Sequence, residues 1–283
     1  MREYKEIYGR PKLWLPKFTL KSGDQTSTHY CPGCGHGILH RILGSVVDEL
    51  GIRDDVIVVN PVGCAVFIYY YLDCDHIQAP HGRASAVAVG AKRYNPEKIV
   101  ISYQGDGDLA AIGTAEIVNA ARRGDNISVI FVNNAIYGMT GGQVAPTTLP
   151  GQITSTTPYG CDPKNTGSPF KMSEMLAVLD GTNYIERVGL FNSIEIKKTE
   201  RAIKKVLVNQ MENKGFSLVE VLSNCPTNWK MNPVDSMKWI KDNMLKYFPI
   251  GVIKDNGKIN REMVCKERVC EEKTCEKVYK EGE

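Results

Sequence analysis

Tyr103-Gln104-Gly105-Asp106-Gly107-Asp108 is answered downstream by Asn133-Asn134-Ala135-Ile136-Tyr137-Gly138. A run from Lys98 to Ser102 leads into the first stretch, and a second, Ile127 to Val132, leads into Asn133. Both read as short buried strands that end in polar and glycine residues. Leu109 to Arg123, rich in Ala and Ile, reads as a helix between them. That is a βαβ unit, and ligands in such sheets sit beyond the carboxyl ends of the strands. The groups offered there are hard oxygen donors. Asp106 gives a carboxylate, Asn134 an amide oxygen, and the loop after it can turn a backbone carbonyl inward. Mg²⁺ takes such ligands and completes its shell with water and phosphate oxygens. Gly105 and Gly107 let backbone approach a phosphate, and the helix after Asp108 offers its free N–H groups to an anion.

Gly-Asp-Gly followed by Asn-Asn, with Asp106 and Asn134 28 residues apart, resembles the thiamine diphosphate motif. A lone Gly-Asp-Gly is a weak signal. The pair, with a strand before each half, is a specific one.

The 283 residues suffice for one large core with an appendage. A net charge of +3 makes no electrostatic case for nucleic acid or a membrane surface. No run is long and apolar enough to span a bilayer, and the N-terminus, MREYKEIYGRPKLWLPKF, lacks an apolar signal core. The expectation is a cytoplasmic protein. In a reducing cytosol the nine cysteines point to metal binding or redox chemistry before disulfides.

Residues 1–28, with Trp14, Pro11 and Pro16, read as an extended arm. Then comes His29-Tyr30-Cys31-Pro32-Gly33-Cys34-Gly35-His36-Gly37. Two cysteines at C-x-x-C spacing in a Pro/Gly turn can aim both sulfurs at one metal; zinc, a dithiol pair and an iron–sulfur cluster all use it. Ile38 to Leu50 reads as a helix stopped by Gly51. Asp55 to Val62 reads as a strand that delivers Gly63-Cys64 to the edge where Asp106 and Asn134 sit. Phe216 to Leu222 is another, delivering Cys225-Pro226. Cys31, Cys34, Cys64 and Cys225 are then four thiolates at loop or strand-end positions, the number a 4Fe-4S cluster takes.

Cys-Pro-Gly-Cys-Gly, Gly-Cys, Gly-Asp-Gly-Asp, Asn-Asn and a late cysteine, over roughly residues 25–250, resemble the β subunit of 2-oxoacid:ferredoxin oxidoreductases. The resemblance implies an α/β thiamine diphosphate-binding fold, a mostly parallel sheet with helices on both faces. It implies Cys31, Cys34, Cys64 and Cys225 as ligands of a 4Fe-4S cluster, and Asp106, Asn134 and the Ile136 carbonyl as ligands of Mg²⁺. The implied cofactor-binding set is His81, Gly105, Asp106, Gly107, Asp108, Asn134, Ile136, Tyr137, Gly138 and Thr140. The implied reaction is oxidative decarboxylation of a 2-oxoacid to acyl-coenzyme A and CO₂, with electrons passed to ferredoxin. The activating carboxylate is implied on a partner α subunit, so no catalytic base is expected here; γ and ferredoxin-like δ subunits are further expected partners. A cluster-free thiamine diphosphate-dependent decarboxylase or transferase subunit is the competing enzyme reading, and a redox-sensing scaffold the non-enzyme one.

His81-Gly82-Arg83 precedes a small-residue helix, Ala84 to Tyr94, and is expected at cofactor or substrate or as a structural helix start. The loop Gly-Met-Thr-Gly-Gly-Gln, 138–143, carries Gly141 where some relatives carry Lys; this version resembles subunits assigned to branched-chain 2-oxoacids or 2-oxoglutarate. Val144 to Pro169 reads as a long loop, a lid or an interface. Phe170 to Leu179 and Asn232 to Tyr247 read as helices, and Tyr184 to Leu190 as a strand. Ser193 to Lys214 reads as a long helix capped by Ser193, with Ile194 and Met211 on its buried side. The organisation expected is an arm, 1–28, a catalytic domain, 29–250, and a charged tail, 251–283, with Cys265, Cys270 and Cys275 as exposed thiols.

Overall fold

A computed structural model describes residues 28–265. The expected arm before residue 28, and Cys270 and Cys275, lie outside the described residues.

The described residues open with α1 (Gly35–Leu50), a 3₁₀ turn and β1 (Val56–Asn60), then β2 (Asp75–Gln78), α2 (Ala84–Tyr94) and β3 (Ile99–Gly105). A π-helical stretch, Gly107–Ile112, precedes α3 (Thr114–Arg123) and β4 (Ser128–Asn133). After a long connection come α4 (Pro163–Thr166), α5 (Met172–Ala177), β5 (Thr182–Gly189), α6 (Ser193–Met211) and β6 (Phe216–Leu222). The described residues close with α7 (Pro226–Trp229), α8 (Pro233–Trp239), α9 (Leu245–Tyr247), β7 (Gly251–Asp255), β8 (Lys258–Ile259) and α10 (Arg261–Cys265).

The strands form one sheet in the order β2-β1-β3-β4-β6-β5-β7-β8. From β2 to β5 every pairing is parallel; β7 and β8 add antiparallel. The central strands are apolar runs because both faces are covered. In β1, Val56 and Val58 face one core with Leu39, Leu43, Val46, Ile203 and Leu207 of α1 and α6. Ile57 and Val59 face the other with Ala84, Ala88, Ile117 and Leu176 of α2, α3 and α5. Each fully buried aliphatic side chain contributes roughly 1.5–3 kcal/mol, so the two cores fix the strand register, and the register fixes which residues reach the carboxyl edge. Among the described residues no helix is long and apolar enough to cross a membrane.

Several local expectations change. The helix expected from Leu109 begins instead as the π-helical stretch, and α3 starts after Gly113. The reason is tertiary: a Cβ on Gly113 would stand 2.8 Å from the Gly82 carbonyl oxygen, so two backbones meet there. The cap of α6 is Asn192, whose side chain accepts from the Glu195 N–H, not Ser193. Ile194 and Met211, expected on its buried side, are 67 % and 44 % exposed; they sit at the two ends of α6, beyond the stretch that packs on the sheet. Residues 251–265, expected in the tail, build β7, β8 and α10; β7 pairs with β5 and buries Ile253.

Candidate functional site

Four adjacent parallel strands, β1, β3, β4 and β6, run out at one edge. Just beyond them stand Cys64, Asp106, Asn134 and Cys225. The chain passes from β1 to β2 on one side and back to β3 on the other, so a crevice opens where the strand order reverses. A cleft at this place is lined by every residue of the expected cofactor-binding set: His81, Gly105 to Asp108, Asn134, Ile136 to Gly138 and Thr140. His36, Gly63, Cys64 and Met139 also line it.

Asp106 is 3 % exposed. Its carboxylate accepts from the Gly107 N–H at 2.8 Å and from Thr147 Oγ1 at 2.6 Å. Burial pushes its pKa up to about 6, against the opposing hydrogen bonds from Thr147, Gly107, Ile136 and Asn134. Asn134 Oδ1 is buried without a hydrogen-bond partner among the described atoms. A buried orphan acceptor beside a buried carboxylate is the donor set a hard cation takes, so these residues fit Mg²⁺.

The turn that carries Asn134 is held from three sides. Ala135 adopts φ +55°, a left-handed conformation that costs a non-glycine residue about 1 kcal/mol or more. Thr148 Oγ1 and Gln152 Nε2 donate to its carbonyl at 2.8 and 3.0 Å. Its N–H donates to Asn133 Oδ1, and Asn133 Nδ2 donates to the buried Glu220. Glu220 in turn accepts from Arg187 Nε at 2.8 Å, while Arg187 forks onto Glu174. Thr147, Thr148 and Gln152 all come from the long connection after β4, which folds back over Asp106 and the Asn134 turn.

Asp108 has a different task from Asp106. It accepts from His81 Nδ1 at 2.6 Å, from the Gly82 N–H at 2.8 Å and from Gln104 Nε2 at 2.5 Å. It therefore anchors the His81 loop. Arg83 donates to the Ile112 carbonyl and pairs with Glu116 at 2.8 Å, which fits the structural reading of that residue. Thr140 turns its hydroxyl to Gln143 at 2.6 Å and closes the 138–143 loop on itself. Gly107 is covered by Tyr137: a Cβ there would lie 2.1 Å from the ring.

The four cysteines gather at the same edge. Cys31 and Cys34 flank a tight turn, the Cys34 N–H donating to the Cys31 carbonyl at 3.0 Å. Cys64 and Cys225 meet over Gly138, where a Cβ would be 3.2 and 3.7 Å from their sulfurs. Burial raises the Cys34 and Cys64 thiols to about 12 and raises Cys225. Neighbouring thiols add to each of these three shifts, Cys31 in every case. Among the described residues no three His, Cys, Asp or Glu side chains close tightly enough for a single metal ion. Cys74 and Cys161 are elsewhere, against His76 and Thr166 respectively.

Thr147 and His36 are members of the site that the sequence does not single out. Thr147 lies in a stretch without periodicity, and His36 reads as part of the C-x-x-C turn.

The fold and cleft define a thiamine pyrophosphate-binding α/β domain, and residues 62–221 match the family described as thiamine pyrophosphate enzyme, C-terminal TPP binding domain. The chain is 48 % identical over 252 residues to ketoisovalerate oxidoreductase subunit VorA of Methanothermobacter thermautotrophicus, covering 89 % of this chain and 53 % of VorA. It is 38 % identical over 220 residues to 2-oxoglutarate synthase subunit KorB of Archaeoglobus fulgidus, 78 % of each chain. Among solved structures it is similar to 2-oxoglutarate:ferredoxin oxidoreductase from Magnetococcus marinus with 2-oxoglutarate, coenzyme A and succinyl-CoA bound. There the TM-score is 0.68 at 26 % identity, over 86 % of this chain and 88 % of that one. The chain belongs to the thiamine pyrophosphate enzymes and, within them, to the family of 2-oxoacid:ferredoxin oxidoreductase subunits. It spans about half the length of the VorA relatives it matches.

Proposed function

We propose that this chain is the subunit that holds thiamine diphosphate, Mg²⁺ and a 4Fe-4S cluster in an enzyme that oxidatively decarboxylates a branched-chain 2-oxoacid to an acyl-coenzyme A. The observation that carries the reading is the convergence of the four cysteines and the Asp106–Asn134 pair on the carboxyl ends of neighbouring strands, with Gly138 between them. When bound, thiamine diphosphate would supply the carbanion chemistry for loss of CO₂, and a cluster held by the cysteines would supply an outlet for electrons toward ferredoxin.

The protein's own part is binding and orientation. Asp106, Asn134 Oδ1 and the Ile136 carbonyl would hold Mg²⁺ against the diphosphate. Gly105, with open space where a Cβ would stand, admits a phosphate to the backbone, and His81, its Nδ1 proton fixed on Asp108, presents its other nitrogen to a ligand. Cys31, Cys34, Cys64 and Cys225 would hold the cluster, one thiolate for each iron. Four thiolates are the number a 4Fe-4S cluster takes.

A partner α subunit would complete the cofactor pocket. Exposed Ile112, Met139, Ile153 and fully exposed Tyr159 supply apolar surface for that contact near the cleft and on the long connection. The VorA relative, named for ketoisovalerate, favours a branched-chain substrate; the KorB relatives and the 2-oxoglutarate-bound structure favour 2-oxoglutarate as the second reading. An anaerobic assay of the assembled enzyme with coenzyme A, viologen dye and a panel of 2-oxoacids decides between them. Faster turnover of 2-oxoglutarate than of ketoisovalerate overturns the branched-chain assignment. Full turnover by this chain without a partner overturns its place as one half of the active site.

A further inference from the structure

Asn228 spans the two halves of the site. Its side-chain Nδ2 donates to the Gly138 carbonyl at 2.8 Å and to Cys225 Sγ at 3.3 Å. The reverse amide orientation would aim oxygen at a carbonyl and a thiolate, so the NH₂ group belongs where both partners accept. The placement is tight. Asn228 lies in α7, the turn that Cys225 opens, where the Trp229 N–H donates to the Cys225 carbonyl at 2.9 Å. On the other side, a Cβ on Gly142, at φ +82°, would stand 3.0 Å from Asn228 Oδ1.

We propose that Asn228 is a positioning residue that raises the reduction potential of the cluster and ties that potential to occupancy of the thiamine diphosphate cleft. This rests on the cluster reading given above. Reduction adds one electron, and part of its charge spreads onto the thiolate sulfurs. An N–H donated to such a sulfur strengthens as the charge grows, so it favours the reduced form. The second hydrogen of the same NH₂ group holds the Gly138 carbonyl, in a loop that lines the cleft. A ligand that settles against that loop therefore acts on the N–H···S contact. By linkage, the redox state of the cluster acts back on ligand affinity.

The test uses the full chain purified anaerobically with its cluster. Wild type is compared with Asn228→Leu, which keeps the bulk and loses the donor, and with Asn228→Asp, which keeps the shape and loses the donor. Iron and sulfide are counted, and the potential is measured by dye-mediated titration followed by electron paramagnetic resonance. Each protein is measured with and without thiamine diphosphate and Mg²⁺. The expected result is unchanged iron content and a shift to more negative potential in both variants, larger for Asp. Adding thiamine diphosphate and Mg²⁺ should shift the wild-type potential and leave the variants still. Equal potentials in all three proteins, with clusters intact, overturn the tuning. Loss of iron from both variants makes Asn228 a structural support and overturns it too. A wild-type potential indifferent to thiamine diphosphate overturns the tie between the sites. Wild type without iron or sulfide overturns the cluster reading itself and the proposal with it.

Discussion

Asp108 Oδ1 lies 2.6 Å from His81 Nδ1, with the carboxylate 1 % and the imidazole 37 % exposed. The carboxylate fixes the proton on Nδ1 and leaves Nε2 available on a ring that lines the cleft. The pair therefore acts as one unit: a buried anchor and a half-exposed contact.

Asp108→Asn turns one acceptor into a donor that must face the N–H of Gly82 or Gln104, or His81 itself. Losing a charge-assisted hydrogen bond is worth about 1.5–3 kcal/mol, so thiamine diphosphate affinity should fall roughly tenfold or more. Calorimetric titration of Asp108→Asn, His81→Gln and the double variant checks it. The two losses should overlap; strictly additive losses would show that the residues act separately.

Asp106→Ala removes the anionic ligand and should weaken Mg²⁺-dependent thiamine diphosphate binding on the order of a hundredfold, with iron content unchanged. Thr147→Val removes the 2.6 Å hydroxyl contact to the same carboxylate. Its expected cost is about tenfold in Mg²⁺ affinity. Mg²⁺ titration at saturating thiamine diphosphate measures both. Unchanged Mg²⁺ dependence in Asp106→Ala would assign the cation elsewhere.

Cys225→Ser should lower iron content or alter the cluster's resonance spectrum. Cys161→Ser should do neither, because Cys161 is buried against Thr166 away from the other sulfurs. Iron counts that respond alike in the two variants would remove Cys225 from the ligand set.

His40, 1 % exposed, has Nδ1 buried without a partner among the described atoms. Burial, then the neighbouring His36 and His76, hold its pKa well below the usual 6.5. His36 is pushed down to about 4, again by burial. Below pH 6.5 the unfolded chain takes protons that the folded chain refuses. Stability is therefore fully present above 6.5 and falls as pH drops below it, by about 1.4 kcal/mol per pH unit for each histidine. In urea titrations between about pH 7.5 and 5, His40→Gln should show a shallower fall than wild type. Parallel curves would mean that His40 does not carry the linkage.

The candidate site is legible in the sequence where a residue type suited to the chemistry stands at a strand end. Asp106 and Asn134 follow apolar runs, and Cys64 and Cys225 follow two more, so a parallel sheet brings them to one edge without further information. Thr147 and Asn228 are not legible, because each acts across a fold-back that no local pattern announces: Thr147 on a carboxylate 41 positions earlier, Asn228 on a carbonyl 90 positions earlier. The break before α3 is hidden for a similar reason, since Gly113 meets the backbone of Gly82 from another loop. Residues 251–259 read as the beginning of a charged tail, yet an edge strand needs one buried face, and Ile253 with its neighbours supplies it.

Cys225 follows β6, and β6 pairs with β4 and β5 in the middle of the sheet. A ribosome that has released Cys31, Cys34 and Cys64 has thus delivered three sulfurs with no place yet for the fourth. The last sulfur arrives when β6 inserts between strands already made. On the proposed ligand set, iron delivery would therefore wait for the pairing of β6 with β4, the longest-range strand pairing among the described residues.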